Sequence, residues 1–511
     1  MRADTLQRAY SAEATWSPAS EISEECEWLI DNAAAYERIL SSIAHARRSV
    51  WITQLAIDTD CIAYGMPASP DTNVAEAIVD AAENRGIEVR ILMNQTLLLD
   101  TVKPLRKWLA ARGSRTIHVR GMSRFPQLLH AKMIVVDDTE LFLVGSPFVN
   151  GYCDDPRHVP ADTRRTLREL SWRPLHDVSV RLTGPAVAES VELYEDWWKS
   201  AATGDLDNSS DLTHRRQIFR NRKYAAMRLV STSPATEARR ARTDILDACL
   251  DGISRAKSLI YIEHQYLSAR PIVDALKNAV DGNADLEIIA VLNQNPDITA
   301  YRRWQNDRLA KSGLADHPRV GVFSLWSTGR DGDRIVALNQ IFAHSKVMLV
   351  DDCWAIMGSA NLDGVSLHSY GDDFAGPFAR NVFRHVRNFD VNVVIRDGVD
   401  GVARSGTVAE LRGRLWAEHL GLTGRAMSKR PAKGWLSAWR DRAGKNVAAL
   451  NLNDSRHRFH GFVLPYSSAS TPSKQLRDLG IVERENSPKL QYNPGWAEVY
   501  LSPNWIRNMF L

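Results

Sequence analysis

The chain has 511 residues, 44% of them hydrophobic and 24% charged, with a net charge of +3. That length exceeds one ordinary core and predicts two large domains or a fused pair, while the near-neutral balance gives no argument for a nucleic-acid partner, and none is expected. Five scattered cysteines (Cys26, Cys61, Cys153, Cys249, Cys353) without CxxC spacing argue against a disulfide framework and read as free thiols of a reducing compartment.

Residues 1–30 form a polar lead that carries acids and lacks the pattern of a Sec signal peptide. No window approaches the ~20 apolar residues that cross a bilayer. The expectation is a cytoplasmic protein, soluble or peripheral to a membrane, that would leave the cell only by a route reading no such signal. Residues 33–47 have helical periodicity and 49–57 (SVWITQLAI) read as a strand. A helix over 73–85, a strand over 87–95 (IEVRILMNQ), a basic helix near 103–112 and a strand over 116–121 follow. The stretch 128–146 (LLHAKMIVVDDTELFLVGS) reads as two buried strands about an acidic bend. After a loop-like region at 147–170 come a strand, 176–182, and a helix, Pro185 to Lys199, with Trp197 and Trp198 as core. This alternation predicts an α/β fold with a largely parallel sheet.

Residues 204–224, polar and mixed in charge, are the expected linker between a first domain at 31–203 and a second at 225–423. The second half repeats the order: helix 243–256, strand 258–267 (SLIYIEHQYL), helix 271–280, strand 286–294 (LEIIAVLNQ), helix 301–312 and strand 320–326. The stretch AHSKVMLVDDCWAIMGSAN (343–361), a strand at 390–395 and a helix ending at 411–421 complete it. Matching residues keep a nearly constant offset: His130 with His344 at 214, Asp177 with Asp390 at 213, Ile52 with Ile262 at 210, Trp198 with Trp416 at 218. Such ordered pairs indicate an internal duplication, and two copies meeting about a pseudo-two-fold axis would bring two single motifs into one cleft. Residues 424–511 lie outside the repeat. Within them the basic stretch 425–445 carries Trp435 and Trp439 at i, i+4. That stretch either lies on an anionic membrane or packs its tryptophans on the body of the protein.

In each copy a histidine and a lysine two residues apart precede four apolar residues and an aspartate: His130, Lys132, Asp137 in the first, His344, Lys346, Asp351 in the second. On a strand, positions i and i+2 share a face, so imidazole and ammonium stand side by side. Two lysines would offset charge on the non-bridging oxygens of a phosphodiester. One imidazole can attack phosphorus, and the other can protonate the leaving alkoxide and then accept a proton from water or an alcohol. The scheme requires no cofactor and no metal, and the chain has no HExxH or paired Cys/His spacing. Asp137 and Asp351 complete each motif and are counted with the catalytic set, in a mainly supporting role, since they begin turns, where aspartate is favoured for local backbone bonding whatever the chemistry.

Both copies fit HxKxxxxD, and each closes in Gly-Ser (Gly145-Ser146, Gly358-Ser359); over residues 35 to 421 the chain resembles the phospholipase D superfamily. The resemblance implies two duplicated α/β/α domains about a pseudo-two-fold axis with the active site at their interface. It implies His130 as nucleophile, His344 as acid/base, and Asp177 and Asp390 as carboxylates behind the histidines, Asp390 standing where Glu is more usual. Ser146, Ser359 and Asn361 match its phosphate-contacting positions. Glu263 and Gln265 match its Glu-Asn-Gln segment, with His264 in place of Asn, and would line the cleft. The region from Asp154 to Pro185 resembles the larger, eukaryotic-type phospholipases D. Two departures stand out: Asn150 lies four residues after Ser146 rather than two, so it is not carried over, and no Arg follows Asn361. The expected function is a phospholipase D-type phosphodiesterase or phosphatidyltransferase, a monomer acting on a phospholipid substrate with peripheral membrane contact. The alternatives are a cardiolipin synthase and a nuclease or other non-lipid phosphodiesterase of the same superfamily.

Overall fold

The computed structural model describes residues 25–483 except 64–71, 97–98, 125, 161, 163–173, 202–226, 236–239, 298, 375–376, 400–401, 404–405, 423–429, 468–477, 479 and 481. The expected linker, most of the polar lead and the far end of the chain lie outside the described residues.

Seven strands form the first sheet, in the order Cys26–Ile30, Val178–Leu182, Glu140–Leu143, Met133–Val136, Ser49–Thr53, Glu88–Asn94, Ile117–Met122. An eleven-stranded sheet in the second half contains the same path: Met227–Ser233, Asp390–Arg396, Trp354–Gly358, Lys346–Val350, Leu259–His264, Glu287–Leu292, Val320–Asp331. In both, the last three strands are parallel to one another and all other neighbours along the path are antiparallel. The expectation of a largely parallel sheet is therefore corrected to a mixed one. Helical crossovers account for the three parallel strands, whereas each apolar–Asp-Asp–apolar stretch is a hairpin and so must pair antiparallel. Asp137, Asp138, Asp351 and Asp352 all take positive φ at those bends, a conformation that aspartate tolerates better than most residues.

The apolar runs are continuous because these strands are covered on both faces. Met133 and Val135 face one cluster with Trp197 and Trp198, while Ile134 and Val136 face another beneath the helices Asp31–His45 and Val102–Ala111. In the second half Val347 and Leu349 turn inward, and Met348 and Val350 pack under Asp244–Ser254 and Arg270–Gly282. The two inward faces belong to one cluster: Trp51, Val135 and Trp197 are continuous with Tyr261, Leu349 and Trp416. The halves thus share a core, and Trp197, Trp198 and Trp416 lie in it as expected.

Other expectations change. Residues 26–30, part of the polar lead in the sequence, form an edge strand paired with Val178–Leu182. The strand at 320–326 extends to Asp331 and turns back at Gly332 (φ 55) into Arg334–Gln340, a hairpin that the sequence reading missed. The described residues 430–467 are not separate from the second half. Their helix Trp435–Leu452 lies on the body, with Trp439 against Trp416, Tyr261 and Phe323, and Val463–Pro465 adds to the sheet. Trp435 and Trp439 are buried, so these tryptophans pack on the body of the protein and neither ring reaches a membrane surface. No described helix is long and apolar enough to cross a membrane.

Candidate active site

Both His/Lys pairs arrive in one cleft, and backbone pairing between the halves is what delivers them. Phe389 O accepts from His130 N (3.0 Å) and Ala131 N (2.8 Å). His176 O accepts from His344 N (2.7 Å), beside the short parallel pair of Phe342–Ala343 with Leu175–His176. Each histidine is therefore tied to the residue that precedes the aspartate of the other half. The carboxylates cross as a result. His130 Nδ1 meets Asp390 Oδ1 at 2.8 Å, and His344 Nδ1 meets Asp177 Oδ2 at 3.0 Å.

The Gly-Ser pairs complete each arm. Ser359 Oγ donates to Asp390 Oδ1 (2.6 Å), and Ser146 Oγ donates to Asp177 Oδ2 while lying 3.2 Å from His344 Nδ1. A side chain at Gly145 would collide with the Asp177 carboxylate, and one at Gly358 with the strand carrying Asn392. The serines thus orient the aspartates, a different role from the phosphate contact the resemblance implied.

Burial sets the charges. It pushes the His130 and His344 imidazoles below their ordinary range, with Lys132 and Lys346 adding to it; His344 falls to about 3. Burial also works against the Asp177 and Asp390 carboxylates, but the facing histidines and the serine hydrogen bonds outweigh it and hold both below the ordinary range. The consistent state is a neutral imidazole whose Nδ1–H is held by a carboxylate, leaving the Nε2 lone pair for the cleft. Burial lowers Lys132 to about 8 and Lys346 to about 7. Lys132 also weighs on Lys346 and His344, and Lys346 on His130, so the two pairs act on one volume.

The remaining expected residues divide. Gln265 is in the site, its Oε1 accepting from Lys346 Nζ at 3.1 Å. Asn361 is buried at the end of the second motif, and its Oδ1 makes no hydrogen bond among the described residues. Glu263 does not line the cleft: fully buried behind it, it accepts from Ser345 Oγ and Tyr261 Oη and pairs with His419 Nε2 at 2.8 Å. Asp137 and Asp351 are corrected from the catalytic set to the scaffold. Asp137 accepts from the backbone N–H of Arg47, Arg48 and Ser49, and Asp351 from those of Lys257, Ser258 and Leu259. At about 3.3 Å per strand residue, Asp351 lies roughly 16 Å from Lys346. Asn150 donates from Nδ2 to Asp60 Oδ1 at 2.9 Å.

Three features escaped the sequence reading, the paired asparagine clamps, the contact of Asn32 and a buried ionic seam, and a fourth residue, His264, was noted there only as a replacement. Asn94 takes both backbone groups of Leu129, donating to its oxygen (2.9 Å) and accepting from its nitrogen (2.8 Å); Asn293 does the same for Ala343 (2.8 and 2.9 Å). Each asparagine thus clamps the residue before a histidine. The repeated LMNQ and VLNQ strand ends were the available signal. Asn32, which looks like part of a helix start, donates to Ser146 Oγ (3.2 Å) and leaves Oδ1 without a hydrogen bond among the described residues. His264, opposite Lys346 in the strand register, is held neutral by burial and that lysine, with a pKa near 3. Behind the site lies a buried ionic seam between the halves. His158 bonds Asp154 and Glu418, and His176 stands 3.1 Å from Asp31 and 2.9 Å from Glu263. Asp31, His158, His176 and Glu418, and also His176, Glu263 and His419, bring metal-type donor atoms within 4.8 Å of one another. The carboxylates outweigh burial and raise both His158 (to about 10) and His176, so these two rings are held as imidazolium, while burial raises Asp31 among the acids that face them.

Comparison with known proteins follows this geometry. A family model described as "Cardiolipin synthase, PLD-like domain" matches residues 39–147 and again 249–376, one segment in each half, and one described as "Phospholipase D" matches 334–483. Phospholipase D A of Dictyostelium discoideum is 40% identical over 453 residues, covering 75% of this chain and 34% of its own. Cardiolipin synthase 2 of Staphylococcus epidermidis is 24% identical over 401 residues, covering 73% of this chain and 65% of its own. The chain thus spans less than two thirds of the length of either relative. The crystal structure of phosphatidylserine synthase from Haemophilus influenzae superposes with a TM-score of 0.51 at 13% identity, over 81% of this chain and 90% of that one, a likeness of fold. With one family model falling on both copies of the repeat and a second running through the later one, the chain belongs to the phospholipase D superfamily.

Proposed function

We propose that this chain is a phospholipase D-type phosphodiesterase acting on glycerophospholipids, with hydrolysis to phosphatidic acid or transfer of the phosphatidyl group to an alcohol. The observation that carries the reading is the pair of crossed His–Asp arms, one from each half, around two buried lysines. His130, the less buried histidine, attacks phosphorus through Nε2; the bond to the headgroup oxygen breaks, and His344 gives its proton to that oxygen. Water or an alcohol then loses a proton to His344 and displaces His130 from the phosphohistidine. With the cleft empty His344 is neutral, so the scheme has the negative charge of the bound phosphodiester bring the proton onto that ring. In this scheme Lys132 and Lys346 neutralise the non-bridging oxygens, and the Asn361 amide Nδ2 donates to one of them.

A transfer reaction such as cardiolipin synthesis is the second reading, favoured by the family model that matches both halves. One experiment separates the cases: labelled phosphatidylglycerol, phosphatidylethanolamine and phosphatidylcholine, with and without glycerol or ethanol, followed by product separation. Phosphatidic acid alone marks a hydrolase, and cardiolipin or phosphatidylethanol marks transfer. Cleavage of plasmid DNA with every lipid untouched sinks the lipid reading in favour of a nuclease.

A further inference from the structure

Residues 374–389 (FAGPFARNVFRHVRNF) contain no acid, three arginines, one histidine and four phenylalanines. The short helix Pro377–Val382 turns Ala379 into the protein and leaves Phe378 70% and Val382 51% exposed at i, i+4. Among the described residues Phe378 is the one aromatic side chain of the exposed large hydrophobics. Beside it Arg384 is exposed, and the hydrogen bonds of its guanidinium run to Asn381 Oδ1 (2.8 Å) and His385 Nε2 (2.9 Å), neither of them an acid. Arg380 donates to Phe374 O and lies near Arg308. Of the acids just before this segment, Asp372 binds His368 at 2.8 Å and also acts on Arg387, and Asp373 binds Ser268 Oγ and Gly364 N; neither is hydrogen-bonded to Arg384.

Two connections tie this face to the cleft. Beneath it Tyr266, Tyr301, Trp304, Phe374 and Phe383 form an unbroken series of ring contacts, at 4.1, 5.0, 5.2 and 5.3 Å between successive members. The series begins where the Tyr266 hydroxyl accepts from Gln265 Nε2 (2.8 Å), the same glutamine that holds Lys346. The chain itself then runs from Val382 to Asn388, whose Oδ1 accepts from Leu128 N (3.0 Å), and on to Asp390 behind His130.

An aromatic and a β-branched side chain in water, beside an exposed arginine whose hydrogen bonds among the described residues reach no acid, match the chemistry of an anionic lipid interface. We propose that the face of Phe378, Val382 and Arg384 seats the protein on an anionic bilayer, with Phe378 and Val382 in the headgroup–acyl boundary and Arg384 and His385 against lipid phosphates. This rests on the phospholipid reading above and names the surface by which substrate is reached; the aromatic series then lies between bilayer and cleft.

The test uses the full chain with vesicles of phosphatidylcholine alone or mixed with phosphatidylglycerol. The parent is expected to sediment with the anionic vesicles, and Phe378→Asp to lower that binding by at least about tenfold, Phe378→Leu much less. Arg384→Glu is expected to weaken binding to anionic vesicles and leave the weaker binding to neutral ones unchanged. Turnover of bilayer substrate falls with binding in each variant, while turnover of a monomeric short-chain phospholipid stays at the parent level. Undiminished vesicle binding by Phe378→Asp overturns the proposal. Loss of self-association in that variant by light scattering, with vesicle binding intact, assigns the face to a second copy and also overturns it. If the parent binds vesicles yet cleaves neither substrate, the enzymatic reading fails and the surface stands.

Discussion

The two halves follow one strand path and hold their histidines by the same crossed aspartate and serine, yet they do not present them alike. The His130 side chain is 13% exposed and that of His344 is 3% exposed. Each lysine donates to the carbonyl oxygen of the histidine two residues before it, but Lys346 is also gripped by Gln265 and lowered to about 7, while Lys132 sits near 8. Behind His344 stands the ionic seam, since His176 holds its backbone, while behind His130 the corresponding residue is Phe389. Duplication therefore supplied two equal motifs, and their surroundings made one half the deep, charged side of the cleft and the other its accessible side. Symmetry of chain is not symmetry of role.

The largest effect tests what the halves share. His130→Ala and His344→Ala should each lower kcat by at least ~10⁴-fold with the fold retained by circular dichroism; substantial turnover in either would falsify the two-histidine scheme. Next comes the crossing. Asp390→Asn should cost about 10²–10⁴-fold in kcat by freeing the His130 ring, and Asp177→Asn should do the same through His344. Double-mutant cycles should find coupling of Asp390 with His130 and little of Asp390 with His344; the reverse pattern would refute the crossed arrangement.

The difference between the halves is sharpened by pH. A lysine stabilises phosphate only while charged, and both site lysines have lowered pKa values. In the empty enzyme charge is therefore lost as pH rises through about 7 at Lys346 and about 8 at Lys132. kcat/KM should fall on that alkaline side. Gln265→Glu, by placing a carboxylate on Lys346, should move the limb upward by about one unit, and an unmoved limb would assign it to another group. The smallest effect concerns the clamps. Asn94→Ala and Asn293→Ala should each cost about tenfold in kcat with KM little changed, and about 1–3 kcal/mol in stability by denaturant titration. Loss of stability with kcat intact would reduce them to structural residues.

Much of the site was legible because a strand has a period of two and the chain repeats itself. His130 with Lys132 and His344 with Lys346 announce a shared face, and the constant offset announces a partner for each. The aspartates Asp177 and Asp390 were legible as members of the site but not in their pairing, since which carboxylate meets which histidine depends on hydrogen bonds between the halves at His176 and Phe389. Asp137 and Asp351 misled for the opposite reason. They share the motif's spacing, yet their carboxylates serve the backbone of the preceding loop at the far end of the strand. Asn94 and Asn293 were visible as a repeated dipeptide whose purpose needs a neighbouring loop to be seen.

By itself the sequence determined the duplication, the buried strands and the two His/Lys pairs, because each is written in local periodicity and recurrence. Only the tertiary structure decided that the sheets are mixed, that the carboxylates cross, that Trp435 and Trp439 are core and that Phe378 is surface. Those outcomes depend on which distant segments share a face, and desolvation at that shared face sets both the charge of a buried lysine and the exposure of a ring.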